Sequence, residues 1–333
     1  MPPPVRVFLT HSPDMRANYY GERALAALRA VAEVKLNPLD RVLTTADVIA
    51  EAKGCEIIIS DRQTPGEAAV FERLPELCVF ERVAVDIRNI DVAAASRAGV
   101  LVTRASPGFV PAVTEWILGA MVDAGRHVTH YSAAYRAGEA PPPSRMGRQL
   151  RGATIGIIGY GAIGSHLAEA ALTLGMRVLV HDPYKAVAPP LAQRELAALL
   201  AESDFVVPLA VATEETENLM NAAALARMKP TAWLINASRG NLVDETALER
   251  ALDEKKIAGA ALDVGRAPDQ MPSPRLARRG DVIATPHIAG LTPEAIEHQA
   301  LETARQAAAL IRGEIPPGAV NIDKASKLAR IKR

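Results

Sequence analysis

Apolar residues in this chain gather into short runs separated by longer stretches with helical spacing. In the second half, strand-like runs begin near Thr154, Arg177, Asp204, Thr231, Gly259 and Asp281. Between them lie helix-like segments such as Ser165–Leu174, Leu191–Ala201 and Glu245–Leu252. Strands alternating with helices at this interval predict βαβ units, and hence a parallel sheet covered on both faces. Upstream, Val5–Thr10, Glu56–Ser60, Leu77–Phe80 and Val100–Thr103 read as further short strands between helices. The expected fold is therefore α/β: two parallel-sheet domains, Rossmann-like or flavodoxin-like, with a cleft between them. The expected boundaries are a discontinuous domain of residues 1–103 plus 291–333 and a second domain of residues 104–290. Two crossings join them. One is the segment Val110–Ala124, with Val113, Trp116, Ile117, Ala120, Met121 and Ala124 on one stripe. The other is a helix started by Thr292 as N-cap and Pro293 at the first turn, running to about Arg312. The Pro-rich stretch Ala140–Ser144 reads as an exposed, mobile loop.

One run breaks into a recognisable turn. Ile155-Gly156-Ile157-Ile158 leads into Gly159-Tyr160-Gly161-Ala162-Ile163-Gly164 and then a helical pattern, and Asp182 ends the next strand, 18 residues beyond Gly164. Gly159 permits the tight turn, Gly161 lets a pyrophosphate approach the backbone, and Gly164 lets helix and strand pack closely. The helix N-terminus offers unpaired N–H groups and a positive dipole end. Asp182 can accept hydrogen bonds from ribose hydroxyls and repels a 2′-phosphate, which favours NAD over NADP. A glycine-rich turn alone is weak; strand, turn, helix and acid together are not.

Composition narrows the class further. With 333 residues, two domains are the prior, and the 49% hydrophobic share suits a globular protein. The formal net charge of +0 gives no field to attract nucleic acid or an anionic membrane. The basic end, Lys324 to Arg333, reads as a solvated tail. No apolar run reaches membrane-spanning length and the N-terminus has no signal-peptide core, so the cytoplasm is the default location. Cys55 and Cys78 read as small buried hydrophobes, and no metal site is expected.

Three more segments fall at the C-terminal ends of predicted strands, the edge where open α/β sheets bind ligands. They are Ile235-Asn236-Ala237-Ser238-Arg239-Gly240, Ala261-Leu262-Asp263-Val264 and Thr285-Pro286-His287-Ile288-Ala289-Gly290. Oxidation of a hydroxyl by hydride transfer needs a base for its proton, and imidazole titrates in the right range, so His287 is the candidate. A carboxylate-bearing substrate needs a fixed cation, and Arg239 has the planar fork that suits it. Asp263 is placed to meet the nicotinamide carboxamide or to orient a neighbour. Singly, His287 reads equally as a hinge histidine and Arg239 as a surface partner of Asp244 or Glu245; their shared location favours the site.

On these motifs the chain resembles the D-isomer-specific 2-hydroxyacid dehydrogenase family over nearly its whole length. Weaker echoes are Asn89-Ile90-Asp91, Pro107-Gly108 and Val113-Thr114-Glu115. The resemblance implies an NAD-dependent enzyme acting on a D-2-hydroxy acid, a homodimer of two-lobed subunits, and an active site between lobes. It implies Arg239 as substrate anchor, His287 as acid/base, and cofactor contacts at Ala162, Ile163, Asp182, Ala237, Asp263 and Gly290. The stripe on Val110–Ala124 is then a candidate dimer face, with core packing as the alternative. Two departures stand out. The family's Glu five positions after the strand-end Asp is Pro268 here, leaving Asp269 as the candidate partner of His287, with Gln270 as a second. The glycine-rich turn that grips the substrate carboxylate is Val83-Ala84-Val85-Asp86-Ile87-Arg88, so Ala84, Val85 and Asp86 are the substrate-loop candidates. Asp86 either pairs with Arg88 or marks a substrate with a positive or donor group. A non-catalytic, NAD-sensing corepressor-like protein is the main competing function, and a formate- or phosphite-type dehydrogenase a further one.

Overall fold

The computed structural model describes residues 3–138 and 143–331. By contacts the chain divides into two compact units, Met1–Gly108 with Pro293–Arg333, and Phe109–Thr292. Each holds its own parallel sheet, as the alternation of strands and helices predicts.

In the first unit the strands are β1 (Arg6–Leu9), β2 (Glu33–Leu36), β3 (Ile57–Ser60), β4 (Val79–Arg82) and β5 (Leu101–Arg104). They lie in the order β2-β1-β3-β4-β5, all parallel, which is the flavodoxin-like order. Strand periodicity sorts the side chains. Val7, Leu9, Ile57, Ile59, Val79 and Leu101 face one core with Leu25, Leu28, Ala304 and Leu310 from helices Glu22–Arg29 and Pro293–Ile311. Phe8, Ile58, Phe80 and Val102 face the other, against Val48, Val70, Phe71 and Ala95. Both faces are buried, so the strands read as apolar runs rather than alternating ones.

Two expectations for this unit need correcting. Strand β4 ends on Glu81 and Arg82, both fully buried, where the apolar pattern had placed its end at Phe80. The basic C-terminal segment is not a solvated tail: it forms two 3₁₀ turns, Ile322–Lys324 and Ser326–Arg330, and buries Leu328 and Ile331 in the first core. Its apolar residues at three-residue spacing point inward while Lys324, Lys327 and Arg330 line the outside.

The second unit contains β6 (Thr154–Ile158), β7 (Arg177–His181), β8 (Ala192–Gln193), β9 (Phe205–Pro208), β10 (Trp233–Asn236), β11 (Gly259–Leu262) and β12 (Val282–Ala284). Their order is β12-β11-β10-β9-β6-β7-β8, again all parallel, so the order reverses at β6. That reversal is the topological switch point of a Rossmann sheet. The helix expected over Leu191–Ala201 starts later, at Leu196, because β8 takes its first residues to extend the sheet edge. The stripe of the helix Val110–Arg126 packs into this unit's own core: Val113, Ile117, Met121 and Ala124 meet Ile155, Ile157 and Ile235. Core packing, not a dimer face, accounts for that stripe. Residues 140–142 of the Pro-rich stretch lie outside the described residues.

Candidate active site

The glycine turn sits at the C-terminal end of β6, at the switch point. Gly159 has φ of 100°, in the region that favours glycine, and a Cβ there would lie 2.7 Å from the backbone N of Ala210. A Cβ on Gly164 would lie 2.2 Å from the carbonyl oxygen of Gly159, so only glycine lets the helix Ala162–Thr173 pack this close to its own strand. At Gly161 nothing lies within 4 Å of a would-be Cβ, which leaves open backbone at the helix N-terminus. Beside it, Asp182 accepts hydrogen bonds from the backbone N–H groups of Tyr160 (2.7 Å), Tyr184 (2.8 Å) and Lys185 (3.0 Å). Burial works against its charge, but these donors and the nearby Lys185 hold its carboxyl below the usual range. An ionised acid therefore stands 18 residues after the turn, braced onto the turn itself.

The ends of β10, β11 and β12 are stitched to one another. The backbone N–H of Asp263 donates to the carbonyl of Asn236 (3.0 Å), and that of His287 donates to the carbonyl of Asp263 (3.0 Å). Gly240 closes the contact from below, since a Cβ there would lie 2.1 Å from the carbonyl oxygen of Gly265. Arg239 leaves β10 in extended conformation and is half-buried, its Nη1 donating to Ser238 O (2.7 Å). Asn236 fixes this turn from both sides, donating to Arg239 O (2.9 Å) and accepting from Ser238 N (3.1 Å). His287, also half-buried, adopts φ of 57°, a left-handed conformation that costs a non-glycine residue about 1–2 kcal/mol. Asp263 is 1% exposed, and its carboxylate accepts from Thr285 Oγ1 (2.6 Å), Ile288 N (2.8 Å) and Ala289 N (2.8 Å). Ala237 is buried beside Asn236. A Cβ on Gly290 would lie 3.2 Å from Phe109 Cβ.

The segment after Asp263, where Pro268 stands in place of the expected Glu, is a tight excursion. Gly265 N donates to Gln270 O (2.8 Å), and residues Pro268–Gln270 form a 3₁₀ turn. Gln270 also has a left-handed φ, 59°. Arg266 anchors the excursion, donating to Asn218 Oδ1 (2.6 Å), Asn241 O (3.0 Å) and Val243 O (3.2 Å) and pairing with Glu217 (2.8 Å). The Asp269 side chain lies outside the described residues.

The substrate-loop candidates belong to the first unit. Ala84 is buried, Val85 half-buried and Asp86 exposed. Asp86 pairs with Arg88 through Nη2 (2.6 Å) and Nε (3.0 Å), the plainer of its two expected roles. Sequence reasoning missed what secures this loop. Arg82, buried, donates to the carbonyl oxygens of Asp61 and Thr64 and to Asn89 Oδ1 (2.6 Å), and burial lowers its pKa to about 10, still protonated at neutrality. A charged pair, Glu81-Arg82, inside a strand was the available signal. Among the described residues no group of His, Cys, Asp and Glu is arranged to hold a metal, and no helix is long and apolar enough to cross a membrane.

A doubly covered sheet with a switch-point glycine turn, an ionised acid beside that turn, and an Arg and a His beyond the ends of β10 and β12, either side of β11, has the plan of a dinucleotide-dependent oxidoreductase. Comparison with known proteins gives the family. Residues 118–289 match the NAD-binding domain of the D-isomer-specific 2-hydroxyacid dehydrogenases. The chain is 35% identical over 315 residues to a glyoxylate reductase of Korarchaeum cryptofilum, covering 90% of this chain and 93% of that one. It is 34% identical over 286 residues to a D-3-phosphoglycerate dehydrogenase of Synechocystis, of which it spans about half, 51%. Among solved structures, an NAD-complexed D-isomer-specific 2-hydroxyacid dehydrogenase of Lactobacillus delbrueckii ssp. bulgaricus superposes with a TM-score of 0.80 at 25% identity, covering 95% of this chain and all of that one. The chain belongs to the D-isomer-specific 2-hydroxyacid dehydrogenase family, NAD-binding oxidoreductases that interconvert hydroxy and keto acids.

Proposed function

We propose that this chain reduces a small 2-keto acid to the D-2-hydroxy acid, and runs the reverse reaction, with Arg239 and His287 as its working side chains. The observation that carries the reading is the stitched trio of strand ends, Asn236, Asp263 and His287, with Arg239 on the first of them. The residues present fit NAD: Gly161 leaves backbone open at a helix N-terminus, Ala162 and Ile163 begin that helix, and Asp182 stands ionised beside the turn. Ala237, Asp263 and Gly290 are the candidates for the nicotinamide end. Bound NAD supplies the hydride acceptor, and NADH the donor, at the nicotinamide ring. Arg239 binds the substrate carboxylate through two parallel N–H···O bonds and holds the reacting carbon in one orientation. His287 takes the hydroxyl proton in oxidation and returns it to the carbonyl oxygen in reduction. Asp269 or Gln270 orients the imidazole in place of the family's Glu. Ala84, Val85 and Asp86 form the substrate-carboxylate loop, and because Arg88 neutralises Asp86, that loop does not repel an anion. The substrates of the matched relatives, glyoxylate and phosphoglycerate, and that of the (S)-sulfolactate dehydrogenase of Chromohalobacter salexigens (35% identical over 260 residues), set the size range. A homodimer in the cytoplasm completes the reading.

The test is NADH oxidation against a panel of 2-keto acids, neutral, anionic and amine-bearing, repeated with Arg239→Ala and His287→Ala. Turnover that both substitutions remove confirms class and roles. Tight NADH binding without turnover on any of them would instead favour the sensor.

A further inference from the structure

We propose that Asp263 is the positioning residue of the site, a carboxylate around which the loop Thr285–Gly290 is wound so that His287 is held in a backbone conformation it would not otherwise keep. The loop makes a tight arc. Its first residue, Thr285, reaches Asp263 through its hydroxyl, and Ile288 and Ala289, the two residues after the histidine, reach it through their backbone N–H groups. His287 itself is tied by its N–H to the carbonyl of the same Asp263. Four bonds from one residue therefore bracket the histidine on both sides, and the histidine between them sits at φ of 57°.

A carboxylate is the group this arrangement requires. Its two oxygens offer roughly four acceptor positions and no donor, and three of those positions are filled within the chain. An amide in its place would turn an N–H toward at least one of the N–H or O–H donors. That mismatch is worse than a missing bond, because it buries donors facing donors. The one remaining acceptor position leaves room for a contact to a bound ligand, but the positioning role does not depend on it. The kinetic part of the proposal rests on the dehydrogenase reading; the structural part does not.

The experiment uses the full chain with Asp263→Asn, Thr285→Val and each combined with His287→Ala. NADH affinity is read by fluorescence titration, turnover with the best keto acid by steady-state rates, and the His287 imidazole by ¹⁵N-histidine NMR, assigned from the signal lost in His287→Gln. Expected for Asp263→Asn is a kcat lowered about 10²–10³-fold, the share general acid–base catalysis supplies, while the NADH Kd is held to within about threefold of the parent only in Thr285→Val, which leaves the carboxylate in place. In the His287→Ala background the same substitution lowers kcat no further, because it acts through the histidine. Thr285→Val, which keeps the carboxylate and removes one donor, lowers kcat about tenfold and keeps the proposal testable should Asp263→Asn fail to fold. The His287 signal broadens or splits in both variants while the other histidines hold. An NADH Kd that rises in step with the loss of kcat in Thr285→Val, losses that multiply in the double variants, or an unchanged His287 signal overturns the proposal. Should no keto acid turn over, the dehydrogenase reading fails by itself, and the NMR arm still decides whether Asp263 positions His287.

Discussion

Replacing Glu81 with Met should stabilise the protein, by an amount that grows with pH. Glu81 lies on β4 level with Ile59 of β3 and Thr103 of β5, is 0% exposed, and has no hydrogen-bond partner for either carboxylate oxygen. Burial pushes its carboxyl well above the ordinary range, so it stays protonated where an exposed glutamate is charged. A buried, unpartnered neutral polar group costs about 1–3 kcal/mol, and Met fills nearly the same volume without polar atoms. That difference is the gain below the ordinary glutamate pKa, where the side chain is neutral folded and unfolded alike. The sign above it follows from the raised folded value. Stability from the protonated folded form is fully present below the unfolded pKa and is lost as pH rises toward the folded one, at about 1.4 kcal/mol per pH unit. As pH rises above the ordinary glutamate range the advantage of Glu81→Met should therefore widen, by up to about 1.4 kcal/mol per unit. Urea denaturation followed by circular dichroism is the assay, because both tryptophans, Trp116 and Trp233, lie in the other unit and fluorescence would not see this one. A gap that stays constant with pH, or a Met variant less stable than the parent at pH 7, would refute the reasoning, since it would mean an ionised and paired Glu81.

Acid should act on the same unit in the opposite sense through His11, whose pKa burial lowers to about 4. Stability from the neutral imidazole is present above about pH 6.5 and drains at roughly 1.4 kcal/mol per unit as pH falls to about 4; His11→Phe should flatten that acid limb in the same denaturation series. Gly164→Ala places a Cβ against the Gly159 carbonyl, and should weaken NADH binding about 5- to 150-fold in a fluorescence titration where the overpacking cost of about 1–3 kcal/mol falls on the turn. Ile331→Ala should cost about 2–4 kcal/mol in urea denaturation, where a solvated tail would cost nothing.

The elements legible in the sequence were those whose burial leaves a pattern. Strands β1, β3 and β6 lie inside their sheets and are covered on both faces, so most of their residues are apolar and the runs announce themselves. Strand β2 went unread because Glu33-Val34-Lys35-Leu36 sits at a sheet edge and is only partly buried, leaving short alternation with two charges. Strand β4 was read two residues short for the converse reason. Glu81 and Arg82 look like a strand's exit into solvent, yet both are buried, one neutralised and the other roofed by three oxygen acceptors. The C-terminal segment deceived through composition, its basic residues outweighing Leu328 and Ile331 by eye though not in burial.

The candidate site residues could be picked out because each follows the end of a strand, where side chains of an open α/β sheet meet a ligand. What holds them was not, because it resides in loop conformation. Nothing in Thr285-Pro286-His287-Ile288-Ala289-Gly290 says that two backbone N–H groups and a hydroxyl will converge on one acid, or that the histidine will take a left-handed turn to allow it. The same holds for the substrate loop. Its lack of glycine suggested altered chemistry, but the structure puts the compensation elsewhere: Arg82 fixes the loop's root through Asn89, and Arg88 closes on Asp86 at its tip. A loop secured at both ends can present its backbone without the freedom glycine supplies, so the missing glycines are weak grounds for assigning an unusual substrate.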